Sequence, residues 1–354
     1  MRILERYIFF VVMRTTLVSL FSLVALLIFF NFIDQLDDVG KGLFDTGDAF
    51  IVATFTAPRF LYELFPVSAL IGALLGLGSL SNFAEINAMR ASGFAVRNII
   101  VSLSKLGVFL LILTSIVGEL IGPVAEKFAQ DYKFERKEST VSLRSQYGFW
   151  AKDGLGFVNI RNVSSDKNVA DVYLYEFSKD KELTLVSKAK RGDLKNDHWV
   201  LSDVNQTQFN GFETSVRNLD KADWDANFNA ELLTAAVISP SMLPVWQLGE
   251  FIDYLHANGL NASEYQVAYW LKLATPFAAF VMLFLAVPFV IGSQRDGSNG
   301  KRVFIGAMLG AVFFLLTRAM SNVAVAYDVS PAFTTMLPSC IFLMSALWLL
   351  KRVR

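Results

Sequence analysis

The sequence predicts an α-helical membrane protein with six transmembrane helices and an all-β domain of jelly-roll type inserted between the third and fourth. Three observations predict it. Apolar stretches of bilayer length run from the N-terminus to about Ile121 and again from about Gln266 to the end. A hydrophilic block with strand patterning, Pro123 to about Leu243, separates them. Lys and Arg in the short loops gather on one side of the membrane. Of the 354 residues 54% are hydrophobic and 18% charged, and much of the charge sits in the central block, so the flanks are more apolar still. The chain divides into 1–122, with an N-terminal interface helix, three spans and a loop helix at 82–93; 123–245, the outer β domain; and 246–354, a linker helix and three more spans.

Met1–Met13 is apolar but carries Arg2, Glu5 and Arg6, and Arg14 follows. Ile3, Tyr7 and Phe10 can separate from Arg6 and Arg14 onto two helix faces, which suits a helix lying in the inner interface. A cationic lead-in to an ordinary span fits equally well. Span one is expected at Thr15–Ile33, near the ~20 apolar residues that cross a bilayer. Span two, Ala49–Leu80, is overlong and holds Pro58 and Pro66, so it should tilt or kink. Gly72-Ala-Leu-Leu-Gly76 with Gly78, and later Gly306-Ala-Met-Leu-Gly310, are small-xxx-small patterns that let helices approach closely. No Gly-Lys-Ser/Thr follows the first run, which excludes a phosphate loop.

Between spans two and three, Asn82–Gly93 reads as a short amphipathic helix closed by a glycine. Glu85 and Met89 are four apart and share a face. A solvated connector would look the same. Apolar Met89 and Ala91 beside Glu85 and Arg90 suit a knob docking into a groove on a soluble partner. Span three, Asn98–Ile121, should continue out of the membrane as the charged helix Val124–Lys137.

In the outer block Phe157–Ile160, Val172–Phe177, Leu183–Val186 and Trp199–Val204 are short β-type runs. Asp153-Gly154, Ser178–Asp180 and Lys195–Asp197 supply turns, and the spacing points to an antiparallel sandwich or jelly roll. His198 is the only histidine there and sits in a turn beside Trp199, a structural position; no second His or Cys joins it as a metal pair. Cys340 is the only cysteine, so no disulfide forms within the chain. No nucleophile–base pair or paired carboxylates stand out, so the block reads as a binding or relay module. Spans four to six are expected at Gln266–Ile291, Val303–Ala326 and Pro331–Leu350.

Arg2, Arg6, Arg14, Arg90, Arg97, Arg295, Lys301, Arg302, Lys351, Arg352 and Arg354 lie on one side. The opposite short loops hold Lys41 against Asp34, Asp37, Asp38, Asp45, Asp48 and Asp328. Both termini are therefore expected in the cytoplasm and the central block outside. The first apolar run is too long for a cleavable signal and lacks a small-residue cleavage site.

Glu85-Ile-x-x-Met89-Arg-Ala-Ser-Gly93 resembles the coupling helix of the lipopolysaccharide-export permeases, the LptF/LptG family. Further motifs fit in order: Leu4-Glu-Arg-Tyr7-Ile, Phe32-Ile-Asp34-Gln35-Leu, and Pro66-x-x-Ala69-Leu-x-Gly72-x-Leu-x-Gly76-Leu-Gly78. Gly118-Glu119, Gly148-Phe-Trp150-Ala-Lys-Asp-Gly154, Tyr265 and Trp270-x-Lys272-x-x-x-Pro276 complete the set. Single motifs are weak; their order and spacing along nearly the whole chain make the set strong. Phe-Trp-Ala-Lys-Asp-Gly is closer to the LptG branch than to LptF.

The resemblance implies a half-permease that performs no chemistry. It would pair with an LptF-like permease and two copies of an LptB-like ATPase, which hold the ATP and Mg; no cofactor binds this chain. Lipopolysaccharide would leave the outer leaflet of a Gram-negative inner membrane and pass to LptC-like and LptA-like periplasmic bridge proteins; no nucleic acid is involved. At ~0.8 kcal/mol per buried methylene, one acyl chain of about a dozen carbons holds on the order of 10 kcal/mol, so extraction needs a motor. The coupling residues implied are Glu85, Ile86, Met89, Arg90, Ala91 and Gly93.

Lipid-cavity or gate positions would be Phe29, Asn31, Phe32, Asp37, Asp38, Arg59, Phe65, Phe313, Leu316 and Arg318, with Phe30 and Phe314 beside them. Charges inside spans are functional candidates. Arg59 could meet lipid phosphates or pair with Glu63 one turn on; both readings are open. Lys272 reads better as a side chain snorkelling to the interface, and Arg318 matches no motif. The family tends to place lysines at the outer end of span one, where this chain has Asn31, Asp37 and Asp38. That departure leaves the head-group contacts open.

Overall fold

A computed structural model describes residues 3–137, 141–142, 149–153, 156–163, 169–178, 182–195, 198–210, 213–224, 240–291, 299–327 and 329–353. Gly148, Gly154, Arg295, Asp328, Arg354 and parts of all three expected turns lie outside the described residues. Among those described, six helices are long and apolar enough to cross a membrane.

Helix α1 (Ile3–Leu36) is one unbroken helix of 34 residues. At 1.5 Å per residue it is about 51 Å long, beyond a ~30 Å hydrocarbon core. The expected interface segment and span one are therefore a single rod. Span two is instead two helices, α2 (Thr46–Phe55) and α3 (Ala57–Asn82). The break falls at Thr56, and Pro58 starts α3, where its missing N–H costs no helical bond. Pro66 lies inside α3, which passes through it. After α4 (Glu85–Ala91), α5 (Val96–Ile116) runs through a π turn (Val117–Ile121) into α6 (Gly122–Lys137). Span three thus continues as a helix into the outer block, as expected, and the sheet begins only at Val141.

The strands are β1 (Val141–Ser142), β2 (Phe149–Asp153), β3 (Gly156–Val163), β4 (Val169–Phe177), β5 (Leu183–Lys195), β6 (His198–Asn210) and β7 (Glu213–Trp224). They form a 7-stranded antiparallel sheet in the order β1-β3-β4-β5-β6-β7, with β2 also on β3. Pairing follows chain order, a meander; the crossing connections of a full jelly roll are not among the described pairings. Every expected β run falls inside a strand. Val158, Ile160, Val172, Leu174, Trp199, Leu201 and Val204 build its core, the alternation of a sheet with one buried face, shifted by one residue at Asp203 (φ +54°) between Leu201 and Val204.

After the sheet come a short turn (Pro240–Met242), α7 (Val245–Ala257), α8 (Ser263–Ile291), α9 (Asn299–Tyr327) and α10 (Pro331–Val353). Helix α3 is the bundle's axis, packed against α1, α8 and α9. The glycine stripes explain how. A Cβ on Gly72 would overlap the Thr16 backbone of α1, while the Thr15 hydroxyl donates to the Gly72 carbonyl at 2.6 Å. On the opposite face, Cβ atoms on Gly306 and Gly310 would meet Ile71 at 2.8 Å and Val67 at 2.5 Å. Both stripes are helix contacts, as the small-xxx-small spacing implies.

Candidate functional site

Helix α4 sits at the bundle end that carries the chain termini. Ala84, at φ +54°, turns the chain sharply into it. Its other end is a Schellman motif: Phe94 N–H donates to the Met89 carbonyl at 2.9 Å and Gly93 N–H to the Arg90 carbonyl at 3.0 Å, with Gly93 at φ +86°. Ile86, Met89 and Phe94 are buried in the bundle's own core. The expected docking knob is therefore corrected: Ile86 and Met89 anchor α4 inward, while Asn87, Ala88, Arg90 and Ala91 face out, Glu85 is half-buried, and Phe83 is 75% exposed beside them. An amphipathic period fixes which residues share a face but not which way that face turns.

Nearby, Lys105 of α5 pairs with Glu5 of α1 at 2.6 Å, and Arg302 of α9 donates to Asn82 at 3.0 Å while lying against Gly78. These side chains stitch four helices beneath α4. Sequence reasoning missed the Glu5–Lys105 pair because its partners are 100 positions apart.

At the sheet end the expected cavity residues divide. Phe29, Phe30 and Phe314 are exposed, Leu316 is half-buried, and Arg318 faces outward. Phe65 and Phe313 are buried in the core, Phe313 edge-on to Phe342 at 5.3 Å. These two are corrected from gate to packing residues within this chain. Asn31 accepts from the Thr56 hydroxyl at 3.2 Å, and Phe32 packs into a small cluster of Phe44, Ala49, Val52 and Ala129.

Arg59 donates to Glu63 at 2.9 Å, with Glu126 of α6 at 4.0 Å. The Arg59–Glu63 pair is present, and the enclosed space on its inner side is about 20 Å³, while the Arg59 side chain stays 38% exposed. Lys272 is also corrected. It is buried, donates to the Gly118 carbonyl at 2.9 Å and faces Glu119 at 3.5 Å, so it does not snorkel.

Asp37 is exposed, but Asp38 is held by Lys41, Lys133 and Lys137, each at 2.7 Å. Leu43 N–H donates to the Arg136 carbonyl at 2.7 Å, and Gly42 lies so close to the Lys137 carbonyl that no Cβ would fit. The acidic loop is thus docked on the C-terminal end of α6, whose Lys133 and Lys137 hold Asp38. Burial opposes the charge on Asp38, but hydrogen bonds from the three lysines outweigh it and hold its carboxyl well below the ordinary range. A depressed folded value stabilises docking above the ordinary carboxylate pKa, and that stabilisation is lost as pH falls through the folded value. Protection of the Leu43 amide from exchange should stay constant from about pH 8 to about pH 5 and fall only below about pH 4. Loss of protection already near neutrality would contradict the arrangement.

The family model described as "Lipopolysaccharide export system permease LptF/LptG" matches residues 6–352 of this chain. The chain is 32% identical to "Lipopolysaccharide export system permease protein LptG" of Escherichia coli strain K12 over 353 residues, 99% of this chain and 98% of that one. It is 30% identical to the protein of the same name from Haemophilus influenzae, covering 99% of each.

Proposed function

The chain belongs to the lipopolysaccharide export system permease LptF/LptG family, and from that premise we propose that it is the LptG-type permease subunit of a lipopolysaccharide exporter. The observation that carries this reading is the full-length likeness to proteins named LptG, over six apolar helices that bracket one antiparallel sheet. The relatives described above share the LptG name, so the LptF assignment is not favoured.

The chain lies in a Gram-negative inner membrane with both termini cytoplasmic, supported by the one-sided Lys and Arg. The sheet is periplasmic. Helices α1 and α9 are only 22% and 17% buried across their most apolar stretches, against 61% for α3 and 67% for α8. Those two bare faces flank the lipid path and leave room for an LptF-like subunit. The outward face of α4 receives one of two LptB-like ATPases, which bind ATP and Mg and hydrolyse the nucleotide. Lipopolysaccharide enters from the outer leaflet and leaves over the sheet to LptC-like and LptA-like proteins.

Purification from native membranes through a C-terminal tag, with proteins and lipids identified by mass spectrometry, tests the assembly. A soluble ATPase, a second six-span chain and lipopolysaccharide should co-purify. An ATPase without lipopolysaccharide would favour a permease that transmits force without moving lipid, and the absence of any ATPase would refute the reading.

A further inference from the structure

We infer that Glu119 and Lys272 form the joint that holds the outer β domain in place over the membrane bundle, and that they act as positioning residues for lipid hand-off. The role in hand-off rests on the proposed function; the joint itself stands on geometry.

Helix α7 is the first helix after the sheet. Its N-cap is Pro244, which has no polar side chain and makes no capping bond. The first N–H groups of a helix need an acceptor. Here the Val245 N–H donates to Glu119 Oε2 at 2.7 Å, from a residue 126 positions earlier. A carboxylate at that place is further favoured by the helix dipole. Tyr254 of α7 packs against the sheet core, and Leu248, Phe251 and Leu255 pack with Ala262 and Ala268 at the start of α8. Helix α7 is thus a bracket between sheet and bundle, and Glu119 fixes its end.

Glu119 itself lies in the π turn where the membrane part of span three becomes α6, the helix leading to the sheet. A π turn breaks the regular i to i−4 ladder and marks a place where a helix can shift register. Lys272 Nζ of α8 donates to the Gly118 carbonyl of that turn at 2.9 Å, stands 3.5 Å from Glu119 Oε1, and lies 5.5 Å from the Tyr62 ring centre. Gly118 must be glycine, because the Tyr62 ring occupies the space of a Cβ. The Tyr62 hydroxyl donates to the Lys272 carbonyl at 3.2 Å. The ingoing and outgoing connections of the outer domain therefore meet at one carboxylate, backed by α3 and α8. Motion of spans three and four reaches both connections together.

The test uses the assembled transporter in lipid nanodiscs. In a Cys340→Ser background, nitroxide labels on Thr54→Cys of α2 and Ser215→Cys of β7 report the bundle-to-sheet distance distribution. Glu119→Ala removes both cap and ion pair; Glu119→Gln keeps an acceptor for the Val245 N–H and removes the charge. With Glu119→Ala the distribution should broaden, and thermal unfolding should fall by about a few degrees for the lost cap and ion pair without loss of assembly. ATP turnover should stay near wild type, and lipid passed to a soluble bridge protein per ATP should fall about tenfold. Glu119→Gln should lie between. An unchanged distribution, or a loss of fold and ATP turnover in proportion to lipid transfer in both variants, overturns the joint. If the wild-type complex transfers no lipid, the proposed function fails instead, and the distance distributions still decide the joint.

Discussion

Replacing Glu85 by Arg should detach the ATPase and abolish export while leaving the permease folded. Glu85 is half-buried in the first turn of α4, where its carboxylate meets the Tyr7 hydroxyl of α1, but the helix is anchored chiefly by Ile86, Met89 and the Gly93 terminus, so losing that one contact leaves the fold in place. If the proposed ATPase meets Glu85 with a cation, reversing the charge turns that attraction into repulsion. Close charge pairs across interfaces are worth about 1.5–7 kcal/mol, so a loss of about 4 kcal/mol weakens attachment roughly a thousandfold. Co-purification of the ATPase and the thermal unfolding of the permease measure the two effects separately. Met89→Ala gives the opposite pattern, because Met89 packs in the core: stability should drop by about 2–4 kcal/mol. Normal attachment and normal export with Glu85→Arg would remove α4 from the coupling path.

The second large effect is expected at Gly72. Its Cβ position lies against the Thr16 backbone, which cannot rotate away as a side-chain tip would. Gly72→Ala must therefore push α1 from α3 and stretch the Thr15 hydrogen bond to the Gly72 carbonyl. Overpacking of this kind costs about 1–3 kcal/mol, and Gly72→Leu should exceed that and prevent stable insertion. Gly249 of α7 is the control: nothing lies within 4 Å of its Cβ position. Gly249→Ala should stabilise by about 0.5–1 kcal/mol through helix propensity alone. Thermal unfolding in detergent measures all three, and a neutral Gly72→Ala would show that α1 and α3 do not pack as described.

Much of the fold was legible because a bilayer imposes length and composition on every span, and a one-sided sheet imposes alternation. Five features were not. The sequence predicts a tilt or kink rather than the break at Thr56, because Pro58 looks the same inside a helix as at its first turn. Strand β7 was missed because nearly all of it is exposed and polar, leaving no alternation to read. Lys272 was read as snorkelling because a cation near an interface can reach water or a buried acceptor. Its acceptor, Gly118, lies 154 positions away. Asp38 gave the same difficulty, with its lysines on α6, far along the chain. At α4 the motif marked the helix, but the inward turn of Met89 needed the packed bundle.

The most direct measurement is transfer itself. The purified transporter, reconstituted in vesicles containing lipopolysaccharide, is given ATP and a soluble bridge protein bearing a photocrosslinker, and lipid–protein adducts are counted over time. Adducts should accumulate with ATP and the wild-type chain, and fall to background without nucleotide or with Glu85→Arg. ATP hydrolysis at the wild-type rate with no adducts above background would contradict the assignment of this chain as a lipopolysaccharide export permease.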